Sequence, residues 1–195
     1  MKFIFIDTET SGFDSKKNAL IQVGGIVDID GEIKEEFNFK LRPYGGEEWL
    51  ESAYETNHIS QEMAETFDDP SECFANFKGI LDKYINRYDK QDKAFFTAYN
   101  ANFDTDFMRA WFVKEATTAR DAQFGNGFGN YFWVPSLDVM QVALIRTLKS
   151  RDQFQNFQLG TVCQMLGIEF NPEDAHDALY DIRKTRELFY ALKKK

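Results

Sequence analysis

The sequence predicts an α/β fold: a mixed sheet, built from a three-stranded antiparallel meander joined to parallel strands, with helices packed on its faces. Three observations carry this. Three strand-like runs open the chain, and the turn dipeptide Asp30-Gly31 joins the last two. From Asp69 onward helical and strand-like segments alternate, the order that gives parallel pairing. The chain has 195 residues, 43% of them apolar, enough for one domain with a sizeable core, expected to span residues 1–195.

Residues 2–7 set Phe3, Phe5 and Asp7 against Ile4 and Ile6, and read as a central strand. Residues 19–29 ("ALIQVGGIVDI") and 33–42 ("IKEEFNFKLR") read as the other two strands of the meander. Asp69-Pro70-Ser71-Glu72 opens a helix with an N-cap, a proline at its first position and a glutamate at its third. Phe74, Phe77, Leu81 and Tyr84 form its apolar stripe. A polar turn over 87–93 leads to a buried strand, "AFFTAY", at 94–99. A helix over 103–114 puts Phe103, Phe107, Ala110 and Trp111 on one face. Residues 117–130 are polar and rich in Gly and Asn, a loop; "YFWV" at 131–134 is a short strand. Helices follow at Asp138 to about Leu148 and at 158–166. The last helix runs from near Ala175 to the lysine tail, with Ala178, Ile182, Thr185, Phe189 and Leu192 inside.

Composition narrows the classes. No run approaches the roughly 18 uncharged apolar residues of a membrane span. "MKFIFIDTE" meets acid too soon for a secretory signal, so a cytoplasmic protein with no membrane partner is expected. Cys73 and Cys163 lie far apart with no metal-type spacing and read as reduced, buried thiols. The net charge of −9 argues against a basic footprint for nucleic acid, unless carboxylates gather cations. Most of the 20 phenylalanines read as core, and a few as stacking platforms for bases, since aromatic faces accept any base.

The anomaly is "FIFIDTETSG", where Asp7 and Glu9 stand two apart on a strand and face the same side. At an effective dielectric of about 20, two unit charges about 4 Å apart repel by roughly 4 kcal/mol. Either a cation sits between them or one of them holds a proton. Two further stretches carry acids near helix starts. In "AYNANFDTDF" Asp104 falls in the first turn of a helix, where the macrodipole alone would favour an acid, and Asp106 competes for that role. In "EDAHDALYDI" Asp181 stands beside the inner stripe of the last helix, where a free carboxylate is costly. His176 lies five residues before it, about 500° around a helix, so the two share a site only if His176 comes from outside the regular helix.

Together "DTETSG", "NANFD" and "HDALYD", in this order, resemble the DEDD superfamily of 3′–5′ exonucleases, to which proofreading subunits of bacterial replicative polymerases belong. The resemblance spans nearly the whole chain and implies a ribonuclease H-like fold. By position it makes Asp7, Glu9, Asp104 and Asp181 ligands of two divalent ions, Mg²⁺ with Mn²⁺ as substitute, and His176 the general base of the histidine branch. Asp177 occupies the position of the alternative tyrosine base, and Tyr180 is out of register for that role. Thr8, Thr10, Asn100 and Phe103 match residues near the terminal nucleotide, and His58 matches a substrate-side histidine. Tyr99 departs from the pattern, since relatives often carry histidine there. The implied partners are nucleic acid with a free 3′ end and a polymerase or other replication or repair protein. Lys149, Arg151 and Lys193–Lys195 are basic candidates for drawing in substrate. The implied reaction releases nucleoside 5′-monophosphates from single-stranded DNA. An exoribonuclease of the same fold and a non-catalytic nucleic-acid-binding module remain as alternatives, because contacts to a 2′-OH cannot be read from spacing.

Overall fold

Alternation and turn chemistry build the sheet. In the computed structural model, which describes residues 1–117 and 127–193, β1 (Lys2–Thr10), β2 (Leu20–Ile29) and β3 (Glu32–Lys40) form the antiparallel meander. Asp30 (φ 57°) and Gly31 (φ 90°) supply the paired left-handed residues that a two-residue hairpin turn demands. β1 runs past Asp7, where the apolar alternation stops. Its ladder with β2 continues through Thr8↔Val23 and Glu9↔Gln22, and the register shifts before Thr10.

The chain then forms α1 (Glu51–Asn57), α2 (Gln61–Ala64) and α3 (Pro70–Tyr84). Asp69 caps α3 as the sequence indicates, its side chain accepting from the amides of Ser71 and Glu72. β4 (Phe95–Ala98) pairs parallel to β1, and α4 (Ala101–Lys114) follows it. The fifth strand departs from expectation. Phe128–Tyr131 is a helical turn, α5, Phe132 makes only an isolated bridge to Ala94, and β5 is Leu137–Asp138, paired parallel to β4. The aromatic run packs into the core instead of forming a ladder: Phe128 and Phe132 lie against Phe96, and Phe128 against Phe112. Pro135 has no N–H to continue a ladder from Val134. The expected 117–130 loop thus ends in α5, and residues 118–126 lie outside the described part.

α6 (Val139–Thr147), capped by Asp138, a 3₁₀ segment over Leu148–Gln153, α7 (Leu159–Met165) and α8 (Ala178–Lys193) complete the chain. α8 starts three residues later than expected. Asp177 accepts from the amides of Leu179 and Tyr180, which makes it the cap, and His176 sits outside at φ 67°.

The sheet order β3-β2-β1-β4-β5 puts β1 in the middle, where antiparallel and parallel halves meet. One face carries Ile4, Ile6 and Phe96 against Phe77, Phe107 and Trp111 of α3 and α4. The other carries Phe3, Phe5 and Ile26 against Val139 of α6, Val162 of α7 and Ile182 and Phe189 of α8. Both cysteines are buried and unpaired. Fully buried Asp28 fastens the hairpin to α8, accepting from Arg186 Nε (2.7 Å), Tyr190 Oη (2.8 Å) and Gly31 N (2.9 Å). Among the described residues no helix is long and apolar enough to cross a membrane.

Gly24 sets how closely α8 approaches. A Cβ built there would stand 2.6 Å from the carbonyl carbon of Ala178, and Gly24 is the β2 partner of Asp7. Gly24→Ala should therefore cost about 1–3 kcal/mol in urea denaturation, since backbone rather than a flexible side chain must give way.

Candidate active site

Alternation along β1 sends Phe3 and Phe5 under α8 and brings Asp7 and Glu9 out on the same side, past the end of the apolar packing. Glu9 is buried and Asp7 partly so. Asp104, 2% exposed, reaches the same end of the sheet from the first turn of α4 and accepts from Thr8 Oγ1 at 2.9 Å. Asp181 comes from the first turn of α8. Its Oδ2 accepts the backbone N–H of His176 at 3.1 Å, while its Oδ1 is buried with no hydrogen-bond partner.

The electrostatics follow from this crowding. Burial, then the carboxylates of Asp104, Glu9, Asp181 and Asp177, hold the Asp7 carboxyl well above its ordinary range. Burial and Asp181 push Glu9 up to about 8, although a hydrogen bond from the Asn57 side chain favours its charged form. Burial raises Asp104 to about 7 against the pull of the Thr8 hydroxyl. Burial also raises Asp181, partly offset by its bond to the His176 amide. Among the described residues no three His, Cys, Asp or Glu side chains stand close enough together to hold a metal ion as placed. The carboxylates share one end of the sheet without being drawn to a common point. Their donor set is nonetheless all oxygen and includes one buried, unpartnered carboxylate oxygen, the chemistry that a hard divalent cation such as Mg²⁺ or Mn²⁺ accepts.

Two clefts meet at exposed His176. One, of about 500 Å³, places it with His58, Gln22, Asn57 and Asp177; the other, of about 570 Å³, with Tyr99, Asn100, Phe157 and Asp181. The structure therefore gathers Asp7, Glu9, Asp104, Asp181, His176, His58 and Asn100 into one region. Asn100 (φ 64°) turns the chain into α4 and donates its amide to Asp138 Oδ1 at 3.1 Å. Three expected substrate contacts fit less well. Thr10 Oγ1 is turned back onto Gly12 O (2.6 Å), Thr8 Oγ1 is engaged by Asp104, and Phe103 leans on the core with its ring 5.0 Å from Phe107. Arg151 is taken up by Phe154 O and the Phe157 ring. Lys193 lies over Phe3, twelve residues and about 18 Å of helix from Asp181. Lys194 and Lys195 lie outside the described residues.

Residues 4–189 match the RNase T family of exonucleases. The chain belongs to this exonuclease family. Ribonuclease T of Photobacterium profundum is 30% identical over 194 residues, covering 95% of this chain and 79% of that protein. The PolC-type DNA polymerase III of Thermotoga petrophila is 28% identical over 187 residues, covering 96% of this chain but only 11% of the polymerase. The fold is shared with E. coli exonuclease I in its zinc-bound complex with single-stranded DNA: TM-score 0.76, 18% identity, 99% of this chain and 40% of that one. The resemblance to DEDD 3′–5′ exonucleases and the ribonuclease H-like fold it implied are borne out.

Sequence reasoning passed over Asn57, which donates to Thr10 O (3.1 Å) and steadies Glu9; Phe13, an aromatic 70% exposed four residues past Glu9, lines neither cleft. Nothing in the periodicity marks Asn57; Phe13 follows the first motif directly and was legible as an apolar residue without a strand to belong to.

The raised carboxyl values fix a sign. Protonated forms are what this fold favours, so the stability tied to them is complete below the ordinary carboxylate values of 3.8 and 4.5 and is lost as pH rises through about 7 for Asp104 and about 8 for Glu9. In EDTA the melting temperature should fall between about pH 5 and pH 8.5. Mg²⁺ or Mn²⁺ should restore it at the alkaline end, by about 2.7 kcal/mol at a hundredfold excess over the dissociation constant. Thermal melts across that range, with and without metal, check both.

Proposed function

We propose that residues 1–195 act as a single metal-dependent 3′–5′ exonuclease domain that removes nucleotides one at a time from the 3′ end of single-stranded DNA, releasing nucleoside 5′-monophosphates. The observation that carries this reading is the gathering of four pKa-raised carboxylates from β1, α4 and α8 beside an exposed imidazole, in a chain of the exonuclease family. Asp7, Glu9, Asp104 and Asp181 would hold two divalent ions. Bound there, such ions supply Lewis-acid activation of water and stabilisation of the leaving oxygen.

The protein's own groups do the rest. His176 takes the proton of the attacking water as that water's oxygen bonds to phosphorus and the bond to the preceding nucleotide's O3′ breaks. Thr8 orients Asp104 and Asn57 steadies Glu9. The cleft shared by His58 and His176 receives the terminal nucleotide, and Phe13 offers a stacking face to a base. The ribonuclease T relatives, matched over 79% of their length by one alignment, favour RNA ends as a second substrate reading. The polymerase relative favours a polymerase as partner.

Digestion of 5′-labelled single-stranded DNA and RNA of matched sequence, with Mg²⁺ or EDTA, tests the function. A ladder shortening from the 3′ end with metal only is expected; no digestion of either strand overturns the reading. His176→Ala should lower kcat by about 10²–10⁴ and leave the metal-dependent melting shift intact. Phe13→Ala should raise KM roughly 5- to 150-fold, the loss of about 1–3 kcal/mol of stacking, with kcat little changed in steady-state assays.

A further inference from the structure

We infer that Tyr180 is a positioning residue for His176, acting as the fixed anchor of the loop that carries it; this rests on the general-base reading above. His176 belongs to no regular element, so something must hold it. Consecutive residues of α8 fasten the loop at both ends. At the near end Asp181 Oδ2 accepts the His176 amide. At the far end the Tyr180 hydroxyl accepts the backbone N–H of Asn171 at 2.7 Å. Between the anchors the loop is tied to itself through Asn171. Its Nδ2 donates to Asp174 Oδ2 (2.7 Å), its Oδ1 accepts from Glu173 N (3.2 Å), and its carbonyl accepts from Asp174 N (3.2 Å). These bonds close residues 171–174 into one turn that ends two residues before His176, so holding Asn171 restrains the segment that leads into His176.

The Tyr180 ring is itself braced. Phe170 packs edge-on against it with centroids 5.5 Å apart. Phe170 in turn sits over Gly160 of α7, so closely that a Cβ there would lie 2.8 Å from its ring. Tyr180 thus transmits the placement of α7 and α8 to the loop. The two anchors differ in one respect. Asp181 is the same carboxylate assigned to a cation, so its hold on the His176 amide competes with that role. The hydroxyl of Tyr180 has no such second duty, and it keeps the loop in place whatever Asp181 does.

Tyr180→Phe isolates the hydroxyl, because the ring and its packing on Phe170 remain. Two readouts are needed: hydrogen exchange of the segment 170–177, followed with and without Mg²⁺, and steady-state exonuclease kinetics. The expected result is exchange in that segment roughly three- to tenfold faster, a melting temperature lowered by no more than about 4 °C, and kcat lowered about three- to tenfold with KM within twofold, the scale of one exposed hydrogen bond. Unchanged exchange in 170–177 overturns the anchor. Faster exchange with wild-type kcat overturns the positioning role. If the wild-type protein digests nothing, the proposed function fails, and with it any catalytic role for the anchor, while the exchange result still decides whether the hydroxyl holds the loop. If the wild type is active and only His176→Ala is impaired, the function stands and this inference falls.

Discussion

Like charges forced together at the end of β1 are the constraint on which the rest of the structure depends. A strand cannot avoid putting Asp7 and Glu9 on one face, and the helix packing that buries Phe3 and Phe5 on that face also brings Asp181 toward them. Asp104 arrives from the other layer. Each carboxyl is driven toward its protonated form mainly by burial and then, for Asp7 and Glu9, by its neighbours. Such an arrangement lowers stability in the absence of a counter-charge, so it persists only because the two apolar layers on either side of β1 hold its members in place.

Those layers meet the site through few contacts. Gly24 lets the first turn of α8 touch the sheet backbone beside Asp7, and the buried Asp28–Arg186–Tyr190 cluster fixes the same helix further along. With α8 held at two points, Asp177 caps it, Asp181 faces inward, and His176 is left just outside on a left-handed turn. The five-residue spacing of His176 and Asp181, awkward for a continuous helix, works because the helix begins between them.

Much of this was legible in the sequence because local chemistry and global fold agree there. Asp30-Gly31 demands a hairpin, Asp69-Pro70 demands a helix start, and the inner stripe Ala178, Ile182, Thr185, Phe189, Leu192 is buried throughout. Asp7 and Glu9 stood out because paired carboxylates ending an apolar strand are costly, whereas Asp104, a common kind of helix-start acid, was picked out only by the resemblance of the three motifs taken together. What could not be read was set by tertiary packing. "YFWV" has strand composition, but Phe132 is more useful against Phe96 than in a ladder, and two plainer residues, Leu137 and Asp138, make the strand. Thr10 and Phe103 stand in motif positions yet point into their own turn and the core. Asn57 has no sequence signal, since its part depends on where a separate helix ends relative to β1.

The chain's acidity follows the same logic. A protein of net charge −9 repels a polyanion at long range, and an ionised carboxylate cluster adds to the repulsion at the point where the proposed function puts the scissile phosphate. Lys193 is spent on the far end of the sheet and Arg151 on its own loop, so neither answers this near Asp7. Divalent cations held by Asp7, Glu9, Asp104 and Asp181, as proposed, would reverse the local sign and relieve the repulsion among these carboxylates. In the proposed reading, therefore, the cation that completes the site is also what makes the site approachable. In the same reading Lys40, which lines the cleft with His58 and His176, is a basic side chain placed to share that task.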